Sequence, residues 1–161
     1  MKIRKAYPSD VSDIKNLCVK GVQIAFENVY TQIFIDKSIE IFYNHERIQK
    51  EISSYLVAED DSDIIGCISC GINEMRGELF SQIYAFHVVP TKRRNGIGGN
   101  LLETASNYLR KKKIKRQYVS VLGNNDNALP FYYAMGFIEA SRHSLEDSIN
   151  STYSLDLMRN L

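Results

Sequence analysis

Residues 88–102, Val-Val-Pro-Thr-Lys-Arg-Arg-Asn-Gly-Ile-Gly-Gly-Asn-Leu-Leu, constrain this chain more than any other segment. The apolar run before them, residues 79–89, reads as a strand. Pro90 must end it, because proline has no amide to give a neighbouring strand. A basic loop with three glycines follows. Ile97, Leu101, Leu102, Ala105 and Leu109 then recur at helical spacing, so a helix is expected over about 96–112, and residues 117–122 read as a strand again. Strand, helix and strand of these lengths make a parallel pair with a right-handed crossover. Glycine lets successive backbone amides turn toward one point, and the start of a helix adds unpaired N–H groups and partial positive charge. Such a loop is an anion site suited to a pyrophosphate. Lys92, Arg93 and Arg94 can add charge-assisted contacts.

The remaining elements frame that unit. Residues 2–6 read as a first strand closed by Pro8. Ser9 is a candidate N-cap for a helix that buries Val11, Ile14, Leu17, Cys18, Val22 and Ala25. A second helix is expected from about Asp36 to Ile52, with Ile41, Ile48 and Ile52 inward. Residues 55–58 and 64–71 form a hairpin across Asp60-Asp-Ser-Asp63. Residues 127–135 suit a short helix stopped by Gly136, and residues 138–141 and 153–157 a closing pair of strands. The chain is therefore read as α/β: one domain, 1–161, with a mixed, mostly antiparallel sheet of about seven strands and helices on both faces.

Charge is uneven. Nine basic residues and one acid lie between Lys92 and Arg116, against 11 basic and 18 acidic elsewhere, within a net charge of only +1. One region is thus built to face an anion. The run Arg110-Lys-Lys-Lys-Ile-Lys-Arg116 is better spent on the C-terminal end of its helix, and no aromatic pattern accompanies it, so nucleic acid is not expected as a partner. No apolar run suits a signal peptide or a membrane span. Three sparse cysteines fit a reducing, cytoplasmic location. Cys67 and Cys70 spell CxxC inside a strand, where their side chains point to opposite faces.

Two nucleotide-binding patterns fail at the loop. Gly98-Gly99-Asn100 lacks the Lys-Ser/Thr of a P-loop. The spacing of Gly96, Gly98 and Gly99, with no acid in residues 117–122, misses the dinucleotide fingerprint. Instead, Arg93-Arg-Asn-Gly-Ile-Gly98, preceded by Val88-Val-Pro90, resembles the R/Q-x-x-G-x-G/A signature of the GNAT N-acetyltransferases. One strand downstream, Asn125-Asp-Asn-Ala-Leu-Pro-Phe-Tyr-Tyr-Ala-Met-Gly-Phe137 resembles that family's N-x-x-A-x-x-F/L-Y-x-x-x-G-F. The likeness is sharp over about 83–137. Arg94 departs from it, standing where many members carry glycine; an exposed loop position is expected to tolerate this.

The resemblance implies acetyl-CoA as co-substrate, no metal, and transfer of the acetyl group to a primary amine by direct attack. It implies pyrophosphate binding on the amides of Arg94, Asn95, Gly96, Ile97, Gly98 and Gly99, with Arg93 beside them. The pantetheine arm would lie beside Phe86 and Val88, with a side-chain contact from Asn125. Tyr132 takes the place of the general acid: a phenol with a pKa near 10 is protonated at neutral pH and can reprotonate a leaving thiolate. A base is needed as well, and His87, Glu27 and Glu78 are candidates, with a water chain as the alternative. The acceptor site is expected between residues 26–51 and 142–151, where Glu27, Asp36, Glu40, Glu46, Glu146 and Asp147 could favour a cationic amine. A homodimer through the C-terminal strands is left open. Two other readings compete: an acyl-CoA sensor without turnover, and a basic-patch module for nucleic acid.

Overall fold

The computed structural model describes all residues, 1–161. Seven strands form one sheet: β1 (Lys2–Lys5), β2 (Tyr55–Asp60), β3 (Asp63–Met75), β4 (Glu78–Val88), β5 (Arg116–Leu122), β6 (Ile138–Ser144) and β7 (Tyr153–Asn160), in the order β1-β2-β3-β4-β5-β7-β6. Every neighbouring pair is antiparallel except β4–β5. The crossover between those two is α4 (Ile97–Lys111), as its strand-helix-strand pattern requires.

Alternation along the strands sorts the core into two layers. On one face Ile83, Val119, Val121, Leu155 and Leu157 pack with Leu101, Leu102 and Ala105 of α4 and Tyr132 of α5 (Ala128–Ala134). On the other face α1 (Val11–Phe26) buries Val11, Ile14, Leu17 and Cys18 against Val57, Cys67 and Ala85. A smaller cluster joins the end of α1 to α2 (Gln32–Phe42) and to Leu122 of β5. The α1 layer stops there, so Tyr118, Ser120 and Asp156 line an open groove instead of a core.

Several boundaries differ from those expected. The single helix over residues 36–52 is two: α2 and α3 (His45–Lys50). Each has its own cap, Thr31 Oγ1 accepting from Phe34 N–H at 3.3 Å and Asn44 Oδ1 from Arg47 N–H at 2.9 Å. Ile48 is fully buried as expected, but Ile41 is 56% exposed, because the break after Phe42 turns its face away from the sheet. Asp10, not Ser9, precedes α1, its carboxylate accepting from Tyr7 N–H and paired with Arg4. The strands β3, β6 and β7 run further than their apolar pattern, carried by backbone pairing through polar residues. Cys67 faces Cys18 under α1, whereas Cys70 lies beside Gln117 on the opposite face. No helix is long and apolar enough to cross a membrane.

Candidate active site

The parallel pairing that makes the crossover also makes an opening. β4 and β5 pair only over Ser81–Gln117, Gln82–Tyr118 and Ile83–Val119. Beyond Ile83 the strands part, and at that point the β3–β4 register shifts, leaving Tyr84 as the extra residue of a bulge. A bulge bends its strand and sharpens the local twist, which peels β4 from β5. The edge of β4 from Tyr84 to Val88 is left without a strand partner on the β5 side.

The basic loop stands at the end of that opening. Pro90 begins a short 3-10 turn, and Gly96, at φ 76, caps α4 from the left-handed region. No protein acceptor pairs the backbone N–H groups of Arg94, Asn95, Gly96, Ile97, Gly98 and Gly99; the next amide, Asn100, reaches Gly96 at 3.0 Å. Six free donors at the start of a 15-residue helix make a strongly anion-attracting corner. Arg94 is exposed, as expected, but its φ is 63. A side chain in that conformation costs about 1–2 kcal/mol, which explains why glycine suits the position. Arg93 holds the corner to the strand through Nε to the Val88 carbonyl at 3.3 Å. Lys92 leans toward Asp60 at 3.7 Å.

Phe86 and Val88 face the α4 layer. The Phe86 ring stands edge-on to Phe131 at 5.5 Å and to Tyr132 at 6.2 Å. Tyr132 is buried between these rings and Phe137, and its hydroxyl makes no hydrogen bond to the protein. Burial, with a smaller contribution from Cys70, raises its pKa above the ordinary phenol value, so it carries its proton throughout the physiological range. Asn125 turns inward at the entrance to α5, its Oδ1 accepting from Ala128 N–H at 3.0 Å. The side-chain amide N–H groups remain available to a ligand.

The candidate bases separate. His87 faces α1 opposite Cys67, in a slot left by Gly21, whose added Cβ would lie 2.0 Å from Nδ1. Burial, then the nearby Arg93 charge, pushes its pKa down to about 4. It is neutral at pH 7 but a weak acceptor for the proton of an alkylammonium. Glu78 opens β4 at the end remote from the loop and pairs with Arg116 at 3.4 Å. Glu27 is exposed at the end of α1.

The groove on the other face of the opening was not legible in the sequence. It encloses about 590 Å³ among residues that include Phe80, Gln82 and Tyr84 of β4, Tyr118 and Ser120 of β5 and Asp156 of β7. Asp156 accepts from Ser120 Oγ at 2.5 Å and Ser141 Oγ at 2.9 Å, and its Oδ2 lies 2.8 Å from His143 Nε2. Burial alone would raise its pKa, but these contacts together hold the carboxyl below the usual range. These side chains come from three strands, so no local spacing announces them. The faint signal was a polar residue set between apolar ones in two strands, Ser120 between Val119 and Val121 and Asp156 between Leu155 and Leu157.

Comparison with known proteins agrees with this fold. The sequence model of the acetyltransferase (GNAT) family matches residues 22–137. A spermidine N(1)-acetyltransferase of Thermoplasma acidophilum is 24% identical over 97% of this chain and 96% of its own length. Among solved structures, the PaiA N-acetyltransferase of the same organism, in complex with coenzyme A, superposes with a TM-score of 0.80 at 22% identity, covering 99% of this chain and 98% of that one. The ribosomal-protein-alanine N-acetyltransferase of Brucella melitensis gives 0.74 at 18% identity with complete coverage of both chains.

Proposed function

The chain belongs to the acetyltransferase (GNAT) family, whose members are acetyl-CoA-dependent acyltransferases, and on that premise we propose that it moves an acetyl group from acetyl-CoA to a primary amine by direct attack. The observation that carries this reading is the opening between β4 and β5 with the free amides of residues 94–99 at its end. A diphosphate suits those amides, with Arg94 beside it. An extended arm can run along the unpartnered edge of β4 past Val88 and Phe86, adding strand-like pairing, with the Asn125 amide as a further contact. An acyl group delivered that way reaches the point where β4 leaves β5.

Two faces then divide the chemistry. Tyr132 lies on the α4 face, and Ser120 and Asp156 line the groove on the other. The amine nitrogen enters from the groove and forms the C–N bond as the C–S bond breaks. The nitrogen gives up its proton to water in the groove, the departing sulfur takes one from the Tyr132 hydroxyl, which is free to donate, and the phenolate regains a proton from solvent. His87 serves this scheme better as packing under α1 than as the base, since its low proton affinity matches an alkylamine poorly.

Thiol release from acetyl-CoA with a panel of amines tests the proposal. Tyr132→Phe is expected to lower kcat by about 10²-fold or more with little loss of stability, because the hydroxyl bonds nothing in the protein. Undiminished turnover in that variant removes Tyr132 as the acid. Absence of thiol release with every amine removes the acetyltransferase reading.

A further inference from the structure

The groove has two chemically different ends. At the inner end, the Asp156 carboxylate receives three neighbours and can take about four hydrogen bonds, so one direction remains for a donor from the groove. It sits across from Ser120, the first β5 residue beyond the last β4–β5 pair. That is where an attacking nitrogen must arrive. The floor is aromatic, with Phe80 and Tyr118 edge-to-face at 5.4 Å.

Outward, the groove runs into a second cavity of about 370 Å³ that shares Met75, Phe80 and Tyr118 with it and is edged by Lys113, Lys115 and Arg116. Glu78 is the one acid there and already pairs with Arg116. Lys113 and Lys115 have no ion-pair partner in the protein. Arg116, Tyr118 and Ser120 alternate along one face of β5, so the cationic end lies about 13 Å from Ser120, four residues of extended strand.

Resting on the acetyltransferase reading, we propose that the acceptor lies along β5 with its primary ammonium on Asp156 and an anionic group against Lys113, Lys115 and Arg116. The substrate class is therefore a primary amine whose far end is acidic. A polyamine would carry its second cation into three like charges, and the groove selects against it. The same chemistry is offered by a peptide amino terminus with an acidic residue at its fourth position, since four extended residues span about 13 Å, and by a long ω-amino acid.

The test compares kcat/KM for four acceptors with the full-length protein: C-terminally amidated tetrapeptides ending in Glu or in Arg, and an ω-amino fatty acid of matching length against the corresponding diamine. The acidic member of each pair is expected to be favoured by about tenfold. Preference within the peptide pair alone assigns a peptide acceptor, and preference in both pairs assigns the general class. In Lys113→Glu/Lys115→Glu the preference should vanish or reverse, with the change falling on KM. Asp156→Asn should raise KM for every amine by about tenfold or more without altering the tail preference. Stabilisation by acetyl-CoA, measured on each variant, reports an intact fold and donor site. Equal use of acidic and basic tails by the wild type overturns the proposal, as does a preference that survives the double charge reversal. A wild type that acetylates no amine overturns the underlying reaction as well, which separates the two failures.

Discussion

Gly21 and His87 form a close contact whose energetics can be worked in both directions. Gly21 lies in the interior of α1, where alanine should gain about 1 kcal/mol in helix propensity. Here, however, a Cβ would come within 2.0 Å of His87 Nδ1, 2.6 Å of Cε1 and 2.7 Å of Cγ. Ordinary contact is about 3.5 Å, so the ring would have to move by roughly 1.5 Å. It has little room: Tyr43 stands edge-on at 6.4 Å, and His87 is fixed in the ladder opposite Cys67. Overpacking of that kind costs about 3 kcal/mol at the upper end of its usual range. Gly21→Ala should therefore destabilise by about 2 kcal/mol net, lowering the midpoint of thermal unfolding by roughly 4–8 °C for a chain of this size. In a His87→Ala background the same change should stabilise by about 1 kcal/mol, because the clash is gone and the propensity gain remains. The coupling, about 3 kcal/mol, is large for a contacting pair and is measured by denaturant unfolding of the four proteins. A stabilising Gly21→Ala in the wild type, or equal effects in both backgrounds, would refute the packing of His87 against α1.

The same histidine sets a pH dependence. Its folded pKa of about 4 lies below the ordinary value near 6.5, so the unfolded chain binds the proton first, and stability should fall as pH drops from about 6.5 toward 4. That part of the slope should disappear in His87→Ala, as followed by urea midpoints across pH. Arg159 is buried with no carboxylate partner, and its guanidinium donates to Gln117 Oε1 at 3.1 Å, to the Met135 carbonyl at 3.0 Å and to Ser106 Oγ. Arg159→Lys keeps the charge but not the fork, and should cost about 2 kcal/mol or more. Because Met135 ends α5, it should also lower kcat by loosening the helix that carries Tyr132; unchanged kcat with reduced stability would restrict Arg159 to a structural role.

What could be read before the fold was known depended on locality. Pro90, Gly96 and the Ile97–Leu109 stripe lie within about twenty residues, and each acts through backbone chemistry that the residue type dictates. The loop and the start of α4 were therefore readable, as was the α5 motif. The break between α2 and α3 was also marked, by Asn44 as the cap of α3, but the apolar spacing through Ile41 and Ile48 masked it. The bulge at Tyr84 has no residue signature, because it is imposed by pairing with β3. Asp156, Ser120 and His143 meet only when β7 inserts between β5 and β6, an order that hairpin logic does not reveal. Arg94 shows the opposite limit: its exposure was foreseen, but its left-handed backbone was not.

Thermal unfolding with saturating acetyl-CoA, set against ATP and NAD at the same concentration, tests the central claim most directly. A ligand at a hundred times its dissociation constant adds about 2.7 kcal/mol, which should raise the midpoint by roughly 5–10 °C. The opening beside β4 and the free amides of the α4 loop predict that rise for acetyl-CoA alone. No rise at millimolar acetyl-CoA, or an equal rise with ATP or NAD, would contradict a donor site built for a long thioester arm.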